Sequence, residues 1–195
     1  MRDNAWLVET AGLPPEHAAA AAELAWLAFE DFYAHVAASR ERLLVAIARQ
    51  FQAYSELNQL VAAFEGSRVI GIGAYYDLRE TAARQIEGMR LLLEAAEDPV
   101  ASSRALRTFA RNFPPAGDVG GYIARFSVAP DRRGTGIAQG MLDRVESALR
   151  GIGLGEARLH VRQENARAIA FYRNQGYEPT GPRALGYLLL RKPLM

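Results

Sequence analysis

Strands and helices intermingle along this 195-residue sequence, which predicts an α/β or α+β domain built on a mixed sheet. Three observations carry that expectation. Apolar residues recur at helical spacing, as in Leu43, Leu44, Ile47 and Phe51. Other stretches, such as Ala157 to Arg162, alternate with the period of a half-buried strand. Glycine and proline clusters at Pro14-Pro15, Pro114-Pro115, Gly120-Gly121 and Gly151 to Gly155 mark the boundaries between them. The length suits one domain, 1–195, with a core of its own, and there is no internal repeat or low-complexity tract.

Residues Ala5 to Glu9 are expected to form a first strand. Pro14-Pro15-Glu16 reads as a helix start, since proline suits the first turn and glutamate its positive end, and the helix is expected to run to about Ala37. Arg40 to Tyr54 forms the next. Gln59 to Phe64 and Arg68 to Tyr75 flank Glu65-Gly-Ser-Arg68, a hairpin signal. Asp77 to Pro115 reads as a helical pair broken near Asp98-Pro99. A strand, Tyr122 to Val128, leads to a helix from about Thr135 to Arg150. After the strand Ala157 to Arg162, Asn165 caps a short helix to Gln175 that Gly176 closes. Two last strands, Tyr177 to Thr180 and Leu185 to Arg191, are divided by Gly181-Pro182.

Composition narrows the function. The chain is 50% hydrophobic and 23% charged with a net charge of +1, which provides no general field for nucleic acid or an anionic membrane. There is no cysteine, which excludes disulfides, thiolate catalysis and cysteine zinc sites, and three scattered histidines (His17, His35, His160) do not suggest a metal centre. Asp3, Asn4 and Glu9 interrupt any N-terminal apolar run, and Ala18 to Phe29 is too short to span a bilayer; a cytoplasmic location is the expectation.

The most informative stretch is Val128-Ala-Pro-Asp-Arg-Arg-Gly-Thr-Gly136, at a strand-to-helix junction. A helix N-terminus leaves backbone N–H groups unpaired and carries partial positive charge. Glycines let several N–H groups converge, with no Cβ in the way of a phosphate, and Arg132 and Arg133 add charge. A plain tight turn with solvated arginines is the competing reading. The P-loop pattern is excluded because the only lysine is Lys192. The dinucleotide fingerprint fails because Gln139 occupies its third glycine position and Arg162 the acidic one.

Arg133-Gly-Thr-Gly136-Ile-Ala138 matches R-x-x-G-x-A and resembles the acetyl-CoA pyrophosphate loop of the GNAT superfamily of N-acetyltransferases. Leu159 to Gly181 is similar to that family's second signature: strand, asparagine, short helix with a tyrosine, then glycine and an aromatic. The close match covers about Gly120 to Arg191; Asp77 to Pro115 (77–115) reads as a helical insertion relative to the compact family core. The resemblance implies a mostly antiparallel sheet with helices on both faces, in which the parallel strands Tyr122–Val128 and Ala157–Arg162 splay apart. It also implies binding of acetyl-CoA: pantetheine against Phe126, Ser127 and Val128, pyrophosphate on Arg133, Gly134, Thr135, Gly136, Ile137 and Ala138, and Asn165 beside the cofactor. Tyr172 matches the tyrosine near the sulfur. Homodimers are common in the family, and the implied partner is a small-molecule or peptide amine.

Each position also has a plainer reading. Asn165 caps a helix whatever the function, and Tyr172 with Phe171 and Ile169 is equally suited to a core. Trp26, Phe29, Phe32 and Tyr33 read as core, whereas Tyr75 and Tyr76 are the better pocket candidates. Arg104, Arg107 and Arg111 form a basic stripe that reads as a solvated or intersubunit face. His160 is the candidate general base, titrating near ~6.5 unless neighbouring arginines lower it, with Glu164 or a water as competitors. The leading expectation is direct acetyl transfer to a primary amine; the rival is a catalytically silent module that binds acyl-CoA.

Overall fold

The computed structural model describes residues 6–195, apart from the side chains of Trp6, Val8, Glu9, Pro182 and Arg183. Seven strands form one sheet: β1 (Trp6–Ala11), β2 (Gln59–Glu65), β3 (Arg68–Asp77), β4 (Gly121–Val128), β5 (Glu156–Arg162), β6 (Glu178–Ala184) and β7 (Tyr187–Pro193), in the order β1-β2-β3-β4-β5-β7-β6. Every pair is antiparallel except β4 with β5. The helices are α1 (Pro15–Ala28), α2 (Glu30–Tyr33), α3 (Arg40–Gln50), α4 (Thr81–Ala95), α5 (Pro99–Asn112), α6 (Ile137–Gly151) and α7 (Ala166–Asn174). Residues Val69 to Asp77 of β3 are buried one after another, because α1 packs on one side of the sheet and α6 on the other. No described helix is long and apolar enough to cross a membrane.

The elements follow the expected order, with three differences. The first strand begins at Trp6 and runs on to Ala11; Ala5 lies outside the described residues. The single helix expected to reach Ala37 is broken at Phe29, whose backbone leaves the helical region (φ −151, ψ 43). Tertiary packing overrides local propensity there: the Phe29 ring stacks on Phe32 at 5.0 Å and meets Phe109, Phe113 and Tyr187 edge-on. The final turn lies at Leu185-Gly186, both at positive φ, and not at Gly181-Pro182. Gly181, at φ 70, instead sits where the β6–β7 register slips between Thr180 and Ala184.

The stretch between β3 and β4 is helical as expected. Asp98 caps α5 by accepting from the Ala101 N–H at 2.8 Å. Ser102, buried on the same helix, accepts from the Ala37 N–H at 3.0 Å and ties α5 to the chain after α2. That contact holds Phe109 and Phe113 against Phe29. Arg104, Arg107 and Arg111 lie exposed on the outer face of α5.

Candidate active site

The site begins with a failure of pairing. Strands β4 and β5 are joined only at Gly121–Ala157 and Tyr122–Arg158; beyond Tyr122 they part. On its other edge β4 bulges, its register against β3 slipping between Ile72 and Ala74, with Arg125 at φ 49. A non-glycine residue in that conformation is strained, and packing on the Arg125 side chain holds it there. A cavity of about 550 Å³ runs through the gap. On one side it reaches Gly134, Gly136, Asn165, Arg167 and Tyr172; on the other it reaches Phe29, Phe113, Arg125, His160 and Tyr187.

At the glycine end, a 3-10 turn (Pro130–Arg132) follows β4, and α6 starts at Ile137. Gly134 (φ 87) and Gly136 (φ 89) both use the left-handed region. A Cβ on Gly136 would stand in open space, and one on Gly134 would lie 3.6 Å from an Arg167 Nη. Backbone, not crowding, therefore requires glycine here, and the room above the loop fits an anion on the first turn of α6. Of the two loop arginines, Arg132 is committed elsewhere, to Glu65 at 2.6 Å and Asp131 at 3.1 Å. Arg133 lines the cavity, with Nε donating to the Val128 carbonyl at 3.2 Å. Arg167, exposed over the loop, supplies charge that the glycine pattern gave no reason to look for.

Phe126, Ser127, Val128, Arg133, Gly134, Gly136, Ala138, Asn165, Tyr172 and His160 all line the cavity. Thr135 and Ile137 do not: Thr135 Oγ1 donates to the Arg132 carbonyl at 2.7 Å, and Ile137 packs against the core. Asn165 caps α7 by accepting from the Ala168 N–H at 3.0 Å. Tyr172 is 6% exposed, its ring among Phe126, Phe171 and Tyr177, and its hydroxyl makes no hydrogen bond among the described residues. Burial raises its pKa, so it stays a neutral phenol with a proton to donate.

His160 differs from expectation in its titration. Its Nδ1 is 2.7 Å from Tyr122 Oη, and the Phe113 ring stands over it at 4.5 Å. Burial pushes its pKa down to about 4, the nearby Pro114 carbonyl only partly opposing this. The cause is desolvation and not the adjacent arginines. Nε2 is buried and reaches hydrogen-bond geometry with no group among the described residues. Glu164, the competing base, is exposed, lies 3.5 Å from Arg162 and does not line the cavity.

Sequence reasoning missed the aromatic side. Tyr75 and Tyr76 are buried away from the cavity, Tyr76 Oη donating to Glu56 at 2.8 Å. Phe29, read as core, lines it, as do Phe113, Arg125 and Tyr187. The one available signal was Arg125 itself, a lone charge within the apolar strand Tyr122-Ile-Ala-Arg-Phe-Ser-Val128.

A sequence model of the acetyltransferase (GNAT) family matches residues 19–177. The chain belongs to that family. The IAA acetyltransferase of Azospirillum brasilense is 37% identical over 83 residues, 38% of this chain and 54% of that protein, so the match spans about half that relative's length. In fold, this GNAT chain is similar to the N-acetyltransferase of Staphylococcus aureus Mu50, with a TM-score of 0.69 at 17% identity over 94% of this chain and 98% of that one. It is also similar to the PaiA N-acetyltransferase of Thermoplasma acidophilum, solved in complex with coenzyme A, with a TM-score of 0.57 at 15% identity over 97% and 99% of the two chains. The parted parallel pair within a mostly antiparallel sheet is the expected GNAT architecture.

Proposed function

We propose that this GNAT enzyme moves acetyl from acetyl-CoA to a primary amine of a small molecule or peptide by direct attack. The residues fit the cosubstrate. The unpaired edge of β4 at Phe126 to Val128 suits an extended amide-bearing arm, and the N–H groups from Arg133 to Ala138, with Arg167 nearby, suit a pyrophosphate. In the reaction the amine nitrogen bonds to the acetyl carbon, the carbon–sulfur bond breaks, the nitrogen loses a proton and the sulfur gains one. Tyr172 donates the proton to sulfur. His160 accepts the one from nitrogen; for this its ring carries hydrogen on Nδ1, donated to Tyr122 Oη, and the Nε2 lone pair, buried and without a partner among the described residues, takes the proton once the occupied cavity brings a donor to it. With its low pKa the imidazole is neutral at physiological pH, and it serves an amine that arrives already deprotonated. We read residues 1–195 as one domain, with 77–115 an insertion that supplies the aromatic wall on the acceptor side.

The observation that supports this reading is Tyr172: a neutral phenol whose hydroxyl has no hydrogen bond among the described residues, on a side chain that lines the cavity between β4 and β5. The test is mass spectrometry of an amine panel incubated with acetyl-CoA, alongside calorimetry with CoA. Acetylated product from wild type supports it; CoA binding without product on any amine would leave a binding module instead.

A further inference from the structure

The cavity has a chemical bias that its family membership does not explain. Among the described residues lining it there is no aspartate or glutamate, whereas Arg125, Arg132, Arg133, Arg162 and Arg167 all reach it. Three of these gather at the glycine loop, where phosphates would need them. Arg125 and Arg162 stand on the other side of the gap, among Phe29, Phe113 and Tyr187.

Arg125 is the unusual one. Its side chain is 9% exposed, and the guanidinium lies 4.5 Å from the Phe29 ring centroid. Of its five N–H groups, Nε donates to Tyr33 Oη at 3.1 Å and Nη2 to Glu56 at 3.4 Å; Nη1 has no hydrogen bond among the described residues. Glu56 is a divided counter-ion, since its other oxygen accepts from Tyr76 at 2.8 Å and Gln85 at 3.1 Å. A buried guanidinium with one long ion pair retains room for a second anion. Arg162 is half-exposed and held as loosely, 4.0 Å from Asp31 and 3.5 Å from Glu164. Asp31 lies behind Tyr187, whose hydroxyl donates to its Oδ2 at 2.5 Å, while its Oδ1 is buried with no hydrogen-bond partner among the described residues; it is not among the residues that line the cavity. Arg125, Arg162 and Tyr187 line the same cavity, so both guanidiniums are available to one occupant of it.

We propose that the acceptor amine also carries a carboxylate, held by Arg125 and Arg162, with an apolar or aromatic body against Phe29, Phe113 and Tyr187: an amine of the α-amino-acid type. The proposal rests on the acetyltransferase reading of the same cavity. A polyamine or other polycation would instead meet two like charges and no carboxylate.

The test titrates the CoA-loaded protein, by calorimetry, with L-phenylalanine, L-leucine and L-methionine, each beside its carboxamide and its decarboxylated amine. The acids are expected to bind about tenfold or more tighter than their neutral or cationic counterparts. Arg162→Gln, at a half-exposed position, and Arg125→Lys, which keeps the charge and loses the planar fork, are expected to shrink that preference. Equal binding of acid and amide, no binding of any acid, or a preference untouched in Arg162→Gln would overturn the proposal. Arginine-dependent binding of the acids without acetylated product would support it and overturn the transferase reading alone.

Discussion

The Tyr172 ring is packed by three aromatic neighbours while its hydroxyl makes no hydrogen bond among the described residues, so the two parts of the side chain can be separated experimentally. Tyr172→Phe is expected to keep its unfolding free energy and its Kd for CoA, because no hydrogen bond is lost, while kcat falls ~10²–10⁴-fold through loss of the proton donor. Steady-state kinetics beside CoA calorimetry check this, and an unchanged kcat would return Tyr172 to the core. His160 makes a pH prediction. Its folded pKa of about 4 lies below the ~6.5 of an unfolded chain, so between those values the unfolded state binds more protons. Stability is therefore fully present above ~6.5 and declines as pH falls toward 4, by an amount on the order of 3 kcal/mol. His160→Gln is expected to flatten that decline in urea unfolding measured at pH 7 and pH 4.5. A slope unchanged by the substitution would mean that the imidazole is not buried in this way.

At the scale of single elements, the glycine loop and the last hairpin make opposite use of positive φ. Gly136→Ala places a Cβ in open space, so its cost is the left-handed backbone alone, ~1–2 kcal/mol. Gly136→Val also fills the room above the loop, and its Kd for CoA is expected to rise tenfold or more, as roughly two charge–dipole contacts of up to ~1 kcal/mol each are lost. Leu185 is an exposed leucine at φ 47 in a two-residue turn, where asparagine is the better fit. Leu185→Asn is expected to stabilise the protein by roughly 0.5–1 kcal/mol, read as a higher urea midpoint. These elements also show what was legible from sequence. Gly134, Gly136 and Asn165 act within one turn of their own positions, so their neighbours in sequence disclose them. Phe29, Phe113, Arg125 and Tyr187 come from four distant segments, and only the packed sheet brings them together. The break at Phe29 was illegible for the same reason, since the rings that turn it inward lie on α5 and β7. Leu185-Gly186 is masked in the sequence because Gly181-Pro182 is the stronger local turn signal, although its glycine serves a bulge instead.

For the molecule as a whole, the parting of β4 from β5 divides the sheet into a four-strand block, β1 to β4, and a three-strand block, β5 to β7, whose ladders meet at two residue pairs. A ligand seated along that gap would be fastened to both blocks. At a CoA concentration a hundred times its Kd, linkage adds ~2.7 kcal/mol to the unfolding free energy, which in a chain of this size corresponds to a rise in Tm of roughly 5–10 °C. Scanning calorimetry with and without CoA checks this, and a rise of less than about 2 °C at that saturation would contradict it. The seam has a mechanical meaning as well. In the free protein it behaves as a zip fastened only at its lower end, so the β5–β7 block is the one expected to loosen as a unit. Backbone deuterium uptake in that block should then report, strand by strand, whether the thread has been drawn closed.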